Sequence, residues 1–265
     1  MKKVKKRYIA LLVVLIIAAG GFLFRKPLTV LAFDLFLSDQ VKQTLEQESY
    51  VPLVNENSSV KPEPIAYKNE PFSVMLLGTD QRENETARSD TMIYAVVRPE
   101  DSKMLLISIP RDTYTEIIGH DDNEKDKITH AFAFGGQKMA KDTLEALMGH
   151  DIEYYASINF QGLKDVVDAL GGLPLPIKKD IVNKGKDHEK FTIVGGQSSY
   201  NGVDALNYVR YREDSDFNRT KRQQVFLDVV ANKMLSFNQI GNISTLLSIM
   251  GENFKTDMQP SMIIS

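Results

Sequence analysis

Residues 8–24, YIALLVVLIIAAGGFLF, carry no charged side chain, and five basic residues precede them in MKKVKKR. Such a run decides on which side of a membrane everything after it folds. A spanning helix wants about 20 apolar residues, with about 17 as the lower bound, and flanking Lys and Arg reach the interface to make up a shortfall. Arg25 and Lys26 close the run. A cleaved signal peptide is the competing reading, because the small residues at 18–21 suit a cleavage site. The run is long for a signal peptide, however, and no A-x-A precedes a polar start. The expectation is a cytoplasmic tail at 1–7, a signal-anchor at 8–24, and the rest of the chain outside the cell membrane as a single-pass type II protein.

Charge narrows the choice of partners. The chain carries a formal net charge of -3, but without the seven basic residues ahead of Pro27 there remain 25 basic against 35 acidic residues, a net near -10. An acidic outer domain is a poor match for nucleic acid, which calls for a broad basic face. With no cysteine in the chain, disulfides, thiolate metal sites and cysteine nucleophiles are excluded.

Apolar residues recur at helical spacing over 27–47, and a polar, proline-containing stretch fills 52–71, so 25–71 is expected as a juxtamembrane helix and linker. From Phe72 the pattern changes. FSVMLLG, TMIYAVVR, KMLLISI and IEYYASINF have the short apolar runs of strands, and PEDS between the second and third is a hairpin turn. GGQKMAKDTLEALMG, QGLKDVVDALGG, NGVDALNYVR and RTKRQQVFLDVVANKML have the spacing and glycine stops of helices. Strands alternating with helices predict an α/β domain over 72–265, a mixed sheet with helices on its faces.

Four stretches place polar side chains at strand ends, where such domains bind ligands. LGTD ends on Asp80 and RSDT holds Arg88 and Asp90. Adjacent strands would bring the two aspartates together, and two close carboxylates repel unless a cation or proton lies between them. Mg2+ completed by water and phosphate oxygens would explain the pair. Alternatively, Asp80 starts a turn and Asp90 serves as a cap or pairs with Arg88. IPRDTY puts Arg111 and Asp112 on the loop after the third strand, where a surface pair is the plain alternative. KITHAFAFGG adds Lys127 and His130 ahead of a helix, whose N-terminus favours anions.

The fourth stretch, VRYREDSDFNRTKRQQ, is the densest. Arg210 and Arg212 are two apart and share a side only if the backbone there is extended. Arg219, Arg222 and Gln223 fall at i, i+3 and i+4, one stripe of a helix. Guanidinium forks so arranged suit a diphosphate. A salt-bridged helix face using Glu213, Asp214, Asp216 and Asp228 is the alternative. No serine–histidine–acid or H-E-x-x-H pattern supports a hydrolase.

The ordered set LLGTD, RSDTMIY, ISIPRDTY, KITHAFAFGG, VDALGGL, VDALNYVRYR and NRTKRQQ resembles the LytR-CpsA-Psr family of Gram-positive cell-wall enzymes, over about residues 72–235. It lies closest to the branch that transfers wall teichoic acid, although YNG (200–202) stands where the family has LNG. The resemblance implies an αβα domain outside the membrane with a tunnel for a polyprenyl tail. It also implies transfer of a glycopolymer phosphate from a polyprenyl-diphosphate carrier to peptidoglycan. Carried over by position, Asp80 and Asp90 would hold Mg2+. Arg88, Arg111, Arg210, Arg212, Arg219 and Arg222 would clamp the diphosphate with help from Gln223, and Arg111, Asp90 and Arg212 would form the catalytic set. Asp90 or Asp216 would take the acceptor's proton. Relatives of that family carry further sequence after the last helix, so a chain ending in QPSMIIS is expected to lack a C-terminal piece. Two rivals share the site: a non-catalytic sensor of anionic wall precursors, which needs the arginines but no aspartate pair, and a phosphatase that uses water as acceptor.

Overall fold

β1 (Phe72–Asp80) carries apolar side chains on both faces, which makes it a central strand rather than an edge. In the computed structural model it pairs antiparallel with β2 (Arg88–Arg98) on one side and parallel with β6 (Tyr154–Asn159) on the other. β3 (Lys103–Ile109) follows β2 through the PEDS turn, and the five-stranded order is β3-β2-β1-β6-β9, with β9 at Phe254–Thr256. The described residues are 43, 45–53, 70–80, 88–101, 103–185, 189–234, 251, 253–259 and 262. The anchor expected at 8–24 lies outside them. Among the described residues no helix is long and apolar enough to cross a membrane.

α1 (Thr129–Met148) covers one face of the sheet. Its Ala140 and Leu144 pack with Met75, Leu77, Met92 and Tyr94. It ends at Gly149, whose backbone N–H caps Glu145 and whose φ of 70° suits a residue without Cβ. The helix starts six residues earlier than the GGQKMAK pattern indicates, because THAFAF is helical too and Gly135–Gly136 interrupt rather than open it. On the opposite face, α2 (Phe160–Ala169), α3 (Gly202–Arg210) and α4 (Asp216–Met234) form a second cluster around Val167, Leu173, Leu206 and Phe226.

Caps fix where these helices begin. The Asn159 side chain accepts from Gly162 N at 2.7 Å and the Asn201 side chain from Asp204 N at 2.9 Å. The Ser215 hydroxyl accepts from Asn218 N at 3.1 Å at the head of α4. α3 lies so close to α2 that a Cβ on Gly202 would stand 2.6 Å from Lys164 Cα. The Gly202 N–H also donates to Asp168 Oδ1 at 2.7 Å. That contact sets the spacing of the two helices.

Three pairings had no signal in the local pattern. β4 (Tyr114–Glu116) and β5 (Lys125–Lys127) form one ribbon, β7 (Ile181–Asn183) and β8 (Phe191–Ile193) another. Within the stretch expected as juxtamembrane helix and linker, residues 45–53 include a π-helical turn (Leu45–Ser49) and then run along β9. Tyr50 bridges Thr256, and Val51 N donates to Thr256 O at 2.8 Å.

Candidate functional site

A break in the β1–β2 ladder builds the centre of the site. Gly78 faces Thr91 and Thr79 faces Ser89, so Asp90 is an extra residue with no partner across the ladder. Such a bulge re-aims side chains. In a regular strand neighbours point to opposite faces, yet here both Asp90 and Thr91 line one pocket. Space is close at the bulge, where a Cβ on Gly78 would meet Thr91 Cβ at 3.2 Å. Asp80 lies two residues beyond Gly78 at the end of the same strand, in register with Arg88.

The pocket, about 460 Å³ with its open mouth included, gathers Asp90, Arg111, Arg210, Arg212, Arg219 and Gln223. Arg111 follows β3, and its carbonyl accepts from Thr129 N at 3.2 Å, which pins the loop to the first turn of α1. Its Nη1 donates to Asp90 Oδ1 at 2.8 Å. Arg210 closes α3 and Arg212 lies just beyond. Tyr211 between them is extended at φ -57° and ψ 132°, so the two guanidinium groups reach the pocket from either side of a helix end. The expected extended pair is thus only half extended. Arg219 and Gln223, one turn apart on α4, complete the ring; both are buried.

Arg222 is placed differently. It does not line the pocket: Nε donates to Tyr208 O at 3.0 Å, Nη2 donates to Tyr211 O, and Nη1 and Nη2 engage both Asp214 oxygens at 2.7 and 3.0 Å. Its guanidinium also stacks 5.0 Å above the Tyr211 ring. Burial pushes the Asp214 carboxyl up, but the hydrogen bonds and charge of Arg222 outweigh that and hold it below its ordinary value. In this geometry Arg222 braces the turn that presents Arg212, rather than facing the pocket as its helical stripe predicts. The side chains of Arg88 and Asp216 lie outside what the structure describes.

Lys127 and His130 stand beside the pocket without lining it. Lys127 Nζ donates to Asp112 Oδ1 at 2.8 Å, and that bond is the main reason the Asp112 carboxyl lies below its usual value. His130 Nδ1 pairs with Asp126 Oδ2 at 2.7 Å.

Next to the polar pocket lies a second cavity of about 500 Å³, counted the same way and walled by Leu76, Ile93, Phe226 and Leu227. It shares Gly78, Thr91, Ile158, Leu163, Val209 and Gln223 with the polar pocket. At the junction Gln223 Nε2 donates to Thr91 Oγ1 at 3.0 Å. The two cavities therefore adjoin, one lined by arginines and the other by apolar side chains.

For a metal, the described residues contain no cluster of three or more His, Cys, Asp or Glu. Mg2+ does not need one, since it commonly takes one or two carboxylates and fills its shell with water and phosphate oxygens. Asp80 and Asp90, at the ends of neighbouring strands, fit that demand. Phe160 is a pocket residue with no signal in the charge pattern.

Helices on both faces of a mixed sheet, with an arginine-lined pocket beside an apolar cavity, define an α/β protein whose site sets fixed positive charge next to greasy walls. The chain belongs to the LytR_cpsA_psr family, whose profile matches residues 36–265. It is 34% identical over 261 residues to the Polyisoprenyl-teichoic acid--peptidoglycan teichoic acid transferase TagU of Bacillus cereus, covering 97% of this chain and 80% of that one. Its fold matches the crystal structure of B. subtilis TagV at a TM-score of 0.62 and 30% identity, over 74% of this chain and 78% of that one. It also matches the structure of TagT bound to LIIa-WTA at a TM-score of 0.58 and 29% identity, over 81% and 80%.

Proposed function

We propose that this protein transfers an anionic cell-wall glycopolymer, of the wall teichoic acid kind, from a polyprenyl-diphosphate carrier to peptidoglycan. One observation carries the reading: four arginines from three separate segments line a pocket that shares a wall with an apolar cavity. Only a ligand with an anionic head and a hydrocarbon tail uses both halves. The TagU relative's name supports transfer of teichoic acid to peptidoglycan.

In this reading Arg111, Arg210, Arg212 and Arg219 hold the diphosphate, and the lipid runs inward past the Thr91–Gln223 contact. The acceptor hydroxyl oxygen attacks the phosphorus bearing the glycan. The bond from that phosphorus to the bridging oxygen breaks, and polyprenyl phosphate leaves. Negative charge gathers on the transferred phosphoryl and the leaving group, where fixed guanidinium donors stabilise it. Positioning and electrostatics of this kind supply most of the rate in phosphoryl transfer. Asp90 is the carboxylate lining the pocket among the described residues, and it is assigned the acceptor's proton. Asp80 and Asp90 would hold Mg2+, which supplies further neutralisation of phosphate charge. The basic-flanked apolar run at 8–24 would anchor the chain in the cell membrane, with this domain outside, beside the lipid substrate.

The test is product analysis. The protein is incubated with Mg2+, a lipid-diphosphate glycan and peptidoglycan oligomers, and products are identified by mass spectrometry. A phosphodiester-linked conjugate is expected. Free glycan phosphate alone would make the protein a phosphatase, and unchanged substrate would make it a sensor.

A further inference from the structure

Arg210 differs from its neighbours in what holds it. Arg111 is held by Asp90 and Arg222 by Asp214, each through charge-assisted hydrogen bonds. Arg210 instead lies over an aromatic ring, with its Cζ 4.6 Å from the centroid of Phe160. Its Nε is buried without a hydrogen-bond partner among the described residues, a feature it shares with the Nε atoms of Arg111 and Arg219, so the ring is what sets it apart. Both side chains line the polar pocket.

The placement of Phe160 is well determined. It is the first residue of α2, and Asn159 caps that helix while also donating through Nδ2 to Asn253 Oδ1 at 2.8 Å. β6, which Asn159 ends, is the parallel neighbour of β1, so the ring stands at the carboxyl ends of the parallel strands. Arg210 is the last residue of α3, where a cation also suits the helix dipole. The close packing of Gly202 on Lys164 keeps the two helices, and hence ring and guanidinium, at fixed spacing.

An aromatic holder has different consequences from an acidic one. A carboxylate would orient the guanidinium but neutralise it, and an incoming phosphate would have to displace it. A ring face attracts the cation through its quadrupole and occupies no N–H donor, because those donors lie in the guanidinium plane. We infer that Phe160 is a positioning residue for the anionic head group: its ring holds Arg210 oriented and still fully charged, with no carboxylate among the described residues taking its donors. This rests on the diphosphate reading above. Phe160 touches no reacting atom in this account and acts only through Arg210.

The experiment titrates inorganic pyrophosphate into the full-length protein by calorimetry with Mg2+ present, for wild type, Phe160→Leu, Phe160→Tyr, Arg210→Ala and the double variant Phe160→Leu/Arg210→Ala. Phe160→Leu should bind about three- to tenfold more weakly, the range of one cation–π contact, and Phe160→Tyr should bind like wild type. In the Arg210→Ala background Phe160→Leu should have no further effect, because the residue it acts through is gone. Additive losses, or an equal loss in Phe160→Tyr, would mean that the ring merely supports the fold and would overturn the inference. Undiminished binding by Phe160→Leu would overturn it as well. Absence of pyrophosphate binding by the wild type would instead overturn the diphosphate reading, so the two failures are distinguishable.

Discussion

Replacing Arg222 by Ala separates a structural arginine from a substrate-binding one. Its side chain is 11% exposed and its partner Asp214 33% exposed. Truncation leaves the Tyr208 and Tyr211 carbonyls without their donor, and a buried acceptor so left costs about 1–3 kcal/mol. Losing one partner of a buried ion pair costs about 3–5 kcal/mol, but Asp214 is open enough to rehydrate, so its share is small. Together these losses come to about 3 kcal/mol. For a domain of about 200 residues each kcal/mol lowers Tm by about 2–4 °C, so a drop of about 6–12 °C is expected. Arg222→Lys should recover part of it, since an ammonium cannot bridge both carbonyls and both carboxylate oxygens at once. The assay is thermal unfolding beside pyrophosphate calorimetry at a temperature where the variant is folded. Unchanged Tm with lost binding would refute the reasoning and return Arg222 to the clamp that its helical stripe suggests.

Other expectations follow from the same geometry. Arg212→Ala should leave Tm within about 2 °C and lower turnover by about 10²–10³, as for one donor to developing anionic charge; near-normal turnover in a steady-state transfer assay would remove Arg212 from the site. Leu163→Trp should fill the junction of the two cavities and raise KM for a long-chain lipid diphosphate while leaving pyrophosphate binding unchanged, and equal effects on both ligands would mean that the lipid runs elsewhere. Burial pushes the Asp257 carboxyl up to about 6, against smaller opposing effects from the Tyr155 N–H and Lys141. Its folded pKa lies above the unfolded value near 4, so the native state keeps the proton longer and stability falls as pH rises through that window, by on the order of 2–3 kcal/mol. Asp257→Asn, which keeps an acceptor for Tyr155 N, should therefore raise Tm at pH 7.5 and scarcely change it near pH 4; the reverse order in a pH series of melts would contradict this.

Much of the site was legible because its signals are local. The strand-end positions of Asp80, Asp90 and Arg111, and the helical spacing of Arg219 and Gln223, follow from residues within a few places of each other. What stayed hidden depends on distant pairing. Asp90 enters the pocket only because β1 meets β2 out of step, and no strand pattern announces a bulge. Arg222 shares a stripe with Arg219, yet the carbonyls of Tyr208 and Tyr211 and the Asp214 carboxylate draw it away. Phe160 looks like a core aromatic in SINF. Its one clue is that it follows an asparagine cap at a strand end, where α/β folds place ligands. β9 and residues 45–53 lie about 100–200 positions from their partners, and three-residue strands carry too little pattern to be recognised alone.

The most direct test of the whole account is a crystal structure of the protein with geranylgeranyl diphosphate and Mg2+. The account predicts both phosphates among Arg111, Arg210, Arg212 and Arg219, and the prenyl chain running inward between Leu163 and Phe226. A diphosphate bound away from those arginines, or a chain lying outside that cavity, would contradict it.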